Sequence, residues 1–170
     1  RLITLIIMIV IGINQGMQPI IGYNYGAKNY DRVKNTFFYA VKVATVVTSL
    51  GFVLGFFIPD MLVRAFSSEE DLVQLSAIAL RFTTLSFVFV GFQMVTTSFF
   101  QCIGMAKISI LLSLSRQILL LLPALYILPL FFGFAGVWAA APTADLLSTG
   151  TACLVLYCYF KSIKKRQNHN

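Results

Sequence analysis

Two charged residues stand deep inside apolar stretches of this 170-residue sequence, and they are its first candidates for chemistry. Asp145 lies about ten residues into the last stretch, which is roughly 15 Å of helix at 1.5 Å per residue. Arg116 lies about eight residues into the preceding stretch, so in antiparallel spans of a core about 30 Å thick the two differ by only about 3 Å in height. Because a charge at that depth costs about 2.5 to 3.5 kcal/mol on insertion scales, we predict a buried ion pair or a water-linked network between them. The hydroxyl groups expected to help satisfy the carboxylate are those of Thr143, Ser148 and Thr149.

Polar and sulfur-containing side chains also accumulate among phenylalanines in an earlier apolar stretch, at Gln93, Met94, Thr96, Thr97, Ser98 and Gln101. Aromatic faces attract organic cations and methionine adapts in shape, so this mixture suits a broad-specificity cavity. Ordinary helix packing, in which Ser and Thr bond their own backbone, is the alternative. Because a lipid-facing amide is costly, we expect both glutamines to face the interior of a bundle. The candidates for a substrate or ion pathway are therefore Asp145, Arg116, Gln93, Met94, Thr97 and Gln101.

The elements that must position these residues are membrane-spanning helices. The sequence is 58% hydrophobic and 11% charged, with a mean hydropathy of +0.84, well beyond the balance of a soluble domain. Four apolar stretches reach the roughly 20 residues that a bilayer-spanning helix needs: 36–58, 74–103, 108–131 and 135–160. The shorter stretch 2–13 is expected to be the inner half of a further span, since no small-x-small cleavage site follows it as a signal peptide would require. The predicted fold is an all-α polytopic bundle over residues 1–160 with a basic tail over 161–170.

Local signals place the ends of these spans. Asn29 is expected to cap the second helix, with Asp31 favourably placed in its first turn, and Pro59 to follow that helix's end. Two overlapping capping boxes within Ser67–Asp71 are expected to start the third span.

The distribution of Lys and Arg predicts the orientation of the spans. Alternating spans place eight basic residues on one side and Arg64 alone in the loops of the other, and basic residues collect on the cytoplasmic side. The tail is therefore predicted to be cytoplasmic, where it serves as an orientation signal or also binds lipid. Two further basic residues near span ends, Lys42 and Arg81, are expected to extend their heads to the interface. The eight are Lys28, Arg32, Lys34, Lys107, Lys161, Lys164, Lys165 and Arg166.

Several classes of function are disfavoured by the same pattern. The basic residues lie between and after apolar stretches rather than along one soluble face, so nucleic acid is not an expected partner. The cysteines lie in apolar stretches and the single histidine, His169, in the polar tail, so no metal site is predicted. The sequence contains no HExxH, GxSxG or P-loop motif, and an enzyme is not expected.

The most distinctive segment is 16–28, whose helix-breaking residues are followed closely by a charged dipeptide. Proline and glycine there predict a break in the helix and a packed re-entrant loop, with Asn24 bonding the freed backbone groups. The loop is either a structural hairpin or part of a substrate site. Adjacent residues cannot face each other on one helix, so Asp31 and Arg32 are each expected to contact a neighbouring segment. The residues of this loop motif are Gly16, Pro19, Gly22, Asn24, Gly26, Asp31 and Arg32.

This segment resembles the sequence that follows the second helix of each six-helix half in MATE (multidrug and toxic compound extrusion) transporters. The resemblance extends over nearly the whole chain, which on that alignment starts inside helix 8 and ends after helix 12. The other segments that carry the resemblance are Gln101-Cys102-Ile103-Gly104, Arg116-Gln117 with Pro123, and Gly136-Val137-Trp138 with Asp145.

The resemblance implies a secondary active exporter in the plasma membrane, with two six-helix bundles around a central cavity. Such a protein moves amphiphilic, often cationic, molecules outward against entering Na⁺ or H⁺ and needs no other cofactor. This chain would be most of the C-terminal bundle, and the N-terminal bundle of the same protein would be its missing partner. The pair of Asp145 and Arg116 would then be either a structural lock or a coupling site. A lipid or oligosaccharide-lipid flippase and a non-transporting assembly subunit are the alternatives, and the loop motif favours drug export.

Overall fold

The computed structural model describes residues 2–64 and 70–167, which are helical almost throughout. The turn between the first two helices and the turn before Ala106 are short, so consecutive helices run side by side in opposite directions. The helices are α1 (Leu2–Gly26), α2 (Tyr30–Phe57), α3 (Pro59–Arg64), α4 (Glu70–Leu85), α5 (Phe87–Cys102), α6 (Ala106–Leu114), a π-helical segment (Ser115–Leu121), α7 (Leu122–Phe132) and α8 (Phe134–Gln167).

Length and composition make four of the described helical stretches candidate membrane spans. They are Ile3–Gly26, Tyr30–Phe57, Ala106–Phe132 and Gly136–Ile163, and the bent pair α4–α5 can form a fifth. The polytopic all-helical class is thus confirmed. The first of these helices is 24 residues long, so the apolar stretch 2–13 is continued by the segment after it rather than ending as a half span.

The predicted third span, 74–103, is two helices that meet at Ser86 with a bend of 50°. Two threonines before the bend donate hydrogen bonds to their own helix: Thr83 Oγ1 to the carbonyl of Ala79 at 2.8 Å, and Thr84 Oγ1 to that of Leu80 at 2.8 Å. Such back-bonding often bends a helix. The capping boxes predicted for Ser67–Asp71 lie outside the residues whose side chains the structure describes.

The predicted break in the segment 16–28 is wrong, because α1 continues through Pro19 to Gly26. Proline removes one backbone donor, and membrane helices tolerate this loss where local groups bond the freed backbone. The side chain of Asn24 does not take the predicted role, because it donates within the helix to the carbonyl of Ile20 at 2.7 Å, whereas the carbonyl that Pro19 leaves without a helical donor is that of Gln15. The chain reverses only at residues 27–29, where Lys28 has a φ of 61°. Asn29 precedes α2 as expected, but its side chain makes no capping hydrogen bond.

Small residues let α2 pack closely against α4 and α5. Gly51 and Gly55 form a GxxxG pair, a spacing that allows membrane helices to approach. A Cβ atom on Gly55 would clash with the Thr84 side chain, and one on Gly91 would lie 2.7 Å from Thr48 Oγ1. These contacts fix α5 against the bundle.

An aromatic cluster joins α2, α5 and α8 at the end of the bundle near the α1–α2 turn. The Phe37 and Phe99 ring centroids are 4.7 Å apart, and the Phe99 ring meets the edge of Tyr159 at 5.7 Å. All three residues are buried. The cluster holds α8 against α5, which sets the position of the polar residues farther along both helices.

Enlarging a glycine at the α2–α4 contact should destabilise the protein. We expect Gly55→Ala to lower the free energy of unfolding by about 1 to 3 kcal/mol, because the buried Thr84 must move. Thermal or denaturant unfolding of the purified protein in detergent measures this. Gly150→Ala is the matched control, since nothing lies within 4 Å of its added Cβ, and it should be neutral or stabilising by about 0.5 to 1 kcal/mol. Equal effects of the two changes would contradict the packing described.

Candidate functional site

The structure brings Asp145 and Arg116 into direct contact. Arg116 Nε donates a hydrogen bond to Asp145 Oδ1 at 2.5 Å. The Asp145 side chain is 8% exposed and the Arg116 side chain 35%, so the carboxylate is enclosed while the guanidinium reaches an open surface. A charge-assisted bond of this kind is stronger than one between neutral groups, and it compensates two charges that lie within candidate membrane spans.

Arg116 is positioned by the π-helical segment Ser115–Leu121. The backbone N–H of Leu122 bonds the carbonyl of Gln117, five residues earlier. Pro123 stands directly after this bond and has no N–H to donate, so the π segment lies directly before an interruption in the backbone hydrogen-bond ladder. An inserted π turn changes which side chains face α8, and such turns are frequent at functional sites.

The hydroxyl groups predicted to satisfy the carboxylate do not do so. Thr143 Oγ1 bonds the carbonyl oxygens of Ala139 and Ala140, and Thr149 Oγ1 bonds the backbone carbonyl of Asp145 at 2.8 Å. A helical threonine reaches the preceding turn of its own backbone more easily than a neighbouring side chain, which explains why this prediction was wrong. Arg116 is the partner of the carboxylate among the described residues.

Gln93 links α5 to α8 one turn beyond Asp145. Its Nε2 donates a hydrogen bond to Ser148 Oγ at 2.6 Å, and the residue is 5% exposed. Its Oε1 is buried without a hydrogen-bond partner in the described part of the chain. The structure therefore places Gln93 in the interior, as expected.

Gln101 does not share this environment, and the expectation that it faces the interior is wrong. It is exposed in the last turn of α5. Eight residues separate it from Gln93, which at 1.5 Å per residue places it about 12 Å farther along α5, beyond the contact with Ser148 and in the last turn of the helix. At a helix end the amide is also nearer the interface, where exposure costs less.

An open groove of about 300 Å³ lies between α5 and the α6–π segment. Four of the six predicted pathway residues line it, whereas Asp145 lies behind Arg116 and Gln101 lies elsewhere. Sequence reasoning did not select Ser113 and Gln117 as pathway residues, although with Arg116 they have the i, i+3, i+4 spacing of one helical face. The groove thus presents amide, hydroxyl, thioether and guanidinium groups. Its lining is Gln93, Met94, Thr97, Ser98, Ser113, Arg116 and Gln117.

The two basic residues near span ends, Arg81 and Lys42, differ in their surroundings. Arg81 Nη2 lies 3.6 Å from Asp60 Oδ2, and both side chains are more than half exposed. Sequence reasoning missed this pair, because the bend of the chain around α3 brings the two together. Lys42 is exposed on α2.

The loop motif forms no site of its own among the described residues. A Cβ on Gly22 would meet the carbonyl oxygen of Cys102 at 3.9 Å, whereas nothing lies within 4 Å of a Cβ on Gly16 or Gly26. Asp31 and Arg32 are exposed and form no hydrogen bond or ion pair with the rest of the described chain. The predicted polar contact of each residue with a neighbouring segment is therefore not found in the described part of the chain, although Asp31 lines a cavity beside α8.

The family model described as MatE matches residues 1–127 of the chain. Among curated proteins, the multidrug export protein MepA of Staphylococcus aureus (strain MSSA476) is 26% identical over 157 residues, covering 92% of this chain and 34% of MepA. MepA of Staphylococcus haemolyticus (strain JCSC1435) is 24% identical over 157 residues with the same coverage. The chain therefore spans about a third of the length of the curated relatives that it matches.

Solved structures superpose on the chain closely. The MATE multidrug transporter DinF-BH is 39% identical with a TM-score of 0.84, covering 92% of this chain and 35% of that protein. An inward-facing multidrug resistance MATE family transporter of the MOP superfamily is 22% identical with a TM-score of 0.88, covering 97% of this chain and 39% of that protein. The second likeness shows the fold alone.

The pairs Arg116–Asp145 and Arg81–Asp60, both among the described residues, should differ in coupling energy. In a double-mutant cycle, we expect Arg116→Gln and Asp145→Asn to couple by about 1 to 3 kcal/mol in the free energy of unfolding, because each single change leaves a poorly solvated partner. The exposed pair provides the control, and Arg81→Gln with Asp60→Asn should couple by about 0 to 1 kcal/mol. Denaturant unfolding in detergent measures both cycles. A coupling for the first pair no larger than that for the second would contradict the site.

Proposed function

The chain belongs to the MatE family, and on that premise we propose that it is the C-terminal part of an exporter of amphiphilic or cationic drugs. The family is one of transporters, so the chain is a multi-pass membrane protein and not an enzyme. In this proposal a second bundle, outside this sequence, supplies the other wall of the transport path. Entry of Na⁺ or H⁺ drives export.

Similarity to multidrug exporters supports this assignment of substrate class. MepA and DinF-BH are named for multidrug export and multidrug transport, which favours drug export over the flippase and assembly-subunit alternatives. The aligned part of the multidrug transporter DinF-BH is 39% identical to this chain. We infer that substrates of the same broad kind pass through the protein of which this chain is a part.

The groove beside Arg116 is the observation that carries the proposed mechanism. A carboxylate buried among apolar helices retains its charge only if it is paired, and Arg116 supplies that pairing from the groove side. In the proposed cycle, an entering cation or proton competes with Arg116 for Asp145. Release of the guanidinium then changes the charge that the groove presents to a substrate, which couples the ion to the cargo. Gln93, Met94 and Thr97 form the wall on the opposite helix.

We propose the orientation that the basic residues predict. The tail and the α1–α2 turn lie on the cytoplasmic side of the plasma membrane, and the segment between α3 and α4 lies outside. Membrane lipids and small substrates are the partners of this arrangement.

Neutralising Asp145 should impair transport in the full-length protein. In cells that lack other ethidium exporters, we expect Asp145→Asn to slow ethidium efflux by about tenfold, because Arg116 loses its charged partner and the coupling step is lost. The rate is measured with and without a Na⁺ gradient and at two external pH values, which identifies the coupling ion.

Asp60→Asn is the matched control, since it removes an equally charged but exposed Arg partner, and its efflux should stay near that of the unmodified protein. Immunoblots of the membrane fraction separate a loss of transport from a loss of protein. Unchanged efflux and unchanged ion dependence in Asp145→Asn would rule out the coupling role, and absence of ethidium export by the unmodified protein would rule out drug export.

A further inference from the structure

A second and larger cavity lies at the end of the bundle where α2 begins and α8 finishes its span. It opens at the surface of the bundle and has a volume of about 540 Å³. Its lining includes Tyr30, which is the first residue of the candidate span Tyr30–Phe57, and Ile163, which is the last residue of the candidate span Gly136–Ile163. Each of these candidate spans is 28 residues long, which exceeds a hydrocarbon core of about 30 Å, so a cavity at their ends lies at the level of the lipid headgroups.

Two ammonium groups face this cavity without an acidic partner. Lys34 and Lys161 line it and are exposed, and neither forms an ion pair within residues 2–64 and 70–167. Lys161 Nζ lies 6.0 Å from the ring centroid of Tyr157, a cation–π arrangement that holds the ammonium near the rim. One carboxylate, Asp31, also lines the cavity, so one positive charge remains in excess.

The rest of the lining is apolar or amphipathic. Phe160 stacks on Phe38 with ring centroids 6.1 Å apart, which fixes an aromatic floor. Tyr30 and Tyr157 border the cavity with rings of the kind that collect at membrane interfaces. The site thus combines cations at the water level with hydrophobic surface directly beside them.

We propose that this cavity binds the phosphate headgroup of an anionic glycerophospholipid, with Lys34 and Lys161 contacting the phosphate. The first carbons of the acyl chains lie on Phe160, and the hydroxyl groups of a headgroup such as glycerol donate hydrogen bonds to Asp31. Basic pockets between membrane helices recognise anionic lipid headgroups in this way. The position at two span ends favours a lipid over a soluble phosphate. The helix surface next to the cavity faces the membrane, and the acyl chains of a bound lipid can pack on it.

The inference is independent of the transported substrate, because none of these residues lines the groove at Arg116. The proposal also assigns a binding role to Lys161, the first residue of the basic tail. Lys164, Lys165 and Arg166 follow Lys161 in the sequence, and they add positive charge to the same end of α8.

Native mass spectrometry of the full-length protein in detergent tests the site directly. The protein is titrated with dioleoyl phosphatidylglycerol and, separately, with dioleoyl phosphatidylcholine, and the occupancy of the first bound lipid is measured. We expect phosphatidylglycerol to bind more tightly, and the double change Lys34→Gln, Lys161→Gln to weaken it by about fivefold for each lysine removed. Asp31→Asn keeps an amide oxygen that accepts from the glycerol hydroxyls but removes a negative charge beside the phosphate, so it should strengthen phosphatidylglycerol binding severalfold.

Matched variants separate a built site from diffuse charge. Lys42→Gln with Lys107→Gln removes the same charge from positions outside the cavity and should leave lipid occupancy unchanged. Lys34→Arg with Lys161→Arg should retain binding, and melting temperatures of all variants check their folding. Equal losses in the two Gln doubles would overturn the proposal, as would equal binding of the two lipids. Displacement of phosphatidylglycerol by millimolar glycerol 3-phosphate would overturn its lipid specificity.

Discussion

Charge inside a membrane helix must be compensated by the protein, and the contact between Arg116 and Asp145 is where this chain meets that requirement. A carboxylate has no long stem with which to reach water, so the position of Asp145 on α8 requires a cation on a neighbouring helix. The π-helical segment supplies it, because the wider turn before Pro123 sets Arg116 toward α8. The same turn leaves the guanidinium on the edge of an open groove, which is why a stabilising contact also becomes a candidate for coupling.

The packing of the other helices holds α5 and α8 in place beside the contact between Arg116 and Asp145. Gly91 allows α2 to approach α5 closely, and the Phe37, Phe99 and Tyr159 rings hold α5 to α8 at one end. Gln93 then reaches Ser148 one turn beyond Asp145. A buried amide with one unused acceptor is costly, and its retention beside the groove is consistent with a polar function there.

Depth and helix type were predictable from sequence, whereas contacts that depend on neighbours were not. The rise per residue and the lengths of the apolar stretches were enough to predict that Asp145 and Arg116 lie at similar depth in the membrane. The cost of exposing an amide to lipid was enough to predict that Gln93 faces the interior. The same cost argument failed for Gln101, because its position in the last turn of α5 leaves its side chain exposed.

The loop predicted from Pro19 was wrong, because a membrane helix can continue through a proline by keeping its other backbone hydrogen bonds. The close contacts of Gly51 and Gly55 and the π turn depend on which helices pack together, and single-sequence patterns do not carry that information.

The most direct test of this account is a solid-state NMR measurement between the guanidinium nitrogens of Arg116 and the carboxyl carbon of Asp145, made on the full-length protein in lipid bilayers. Selective labelling of arginine and aspartate, with Arg116→Lys as the reference for assignment, isolates the one pair. The ion pair predicts the strong dipolar coupling of a direct hydrogen-bonded contact. This coupling should weaken when the entering cation, or a proton at low pH, displaces Arg116 from Asp145. A persistent absence of coupling in the resting protein would contradict the ion pair and with it the proposed site.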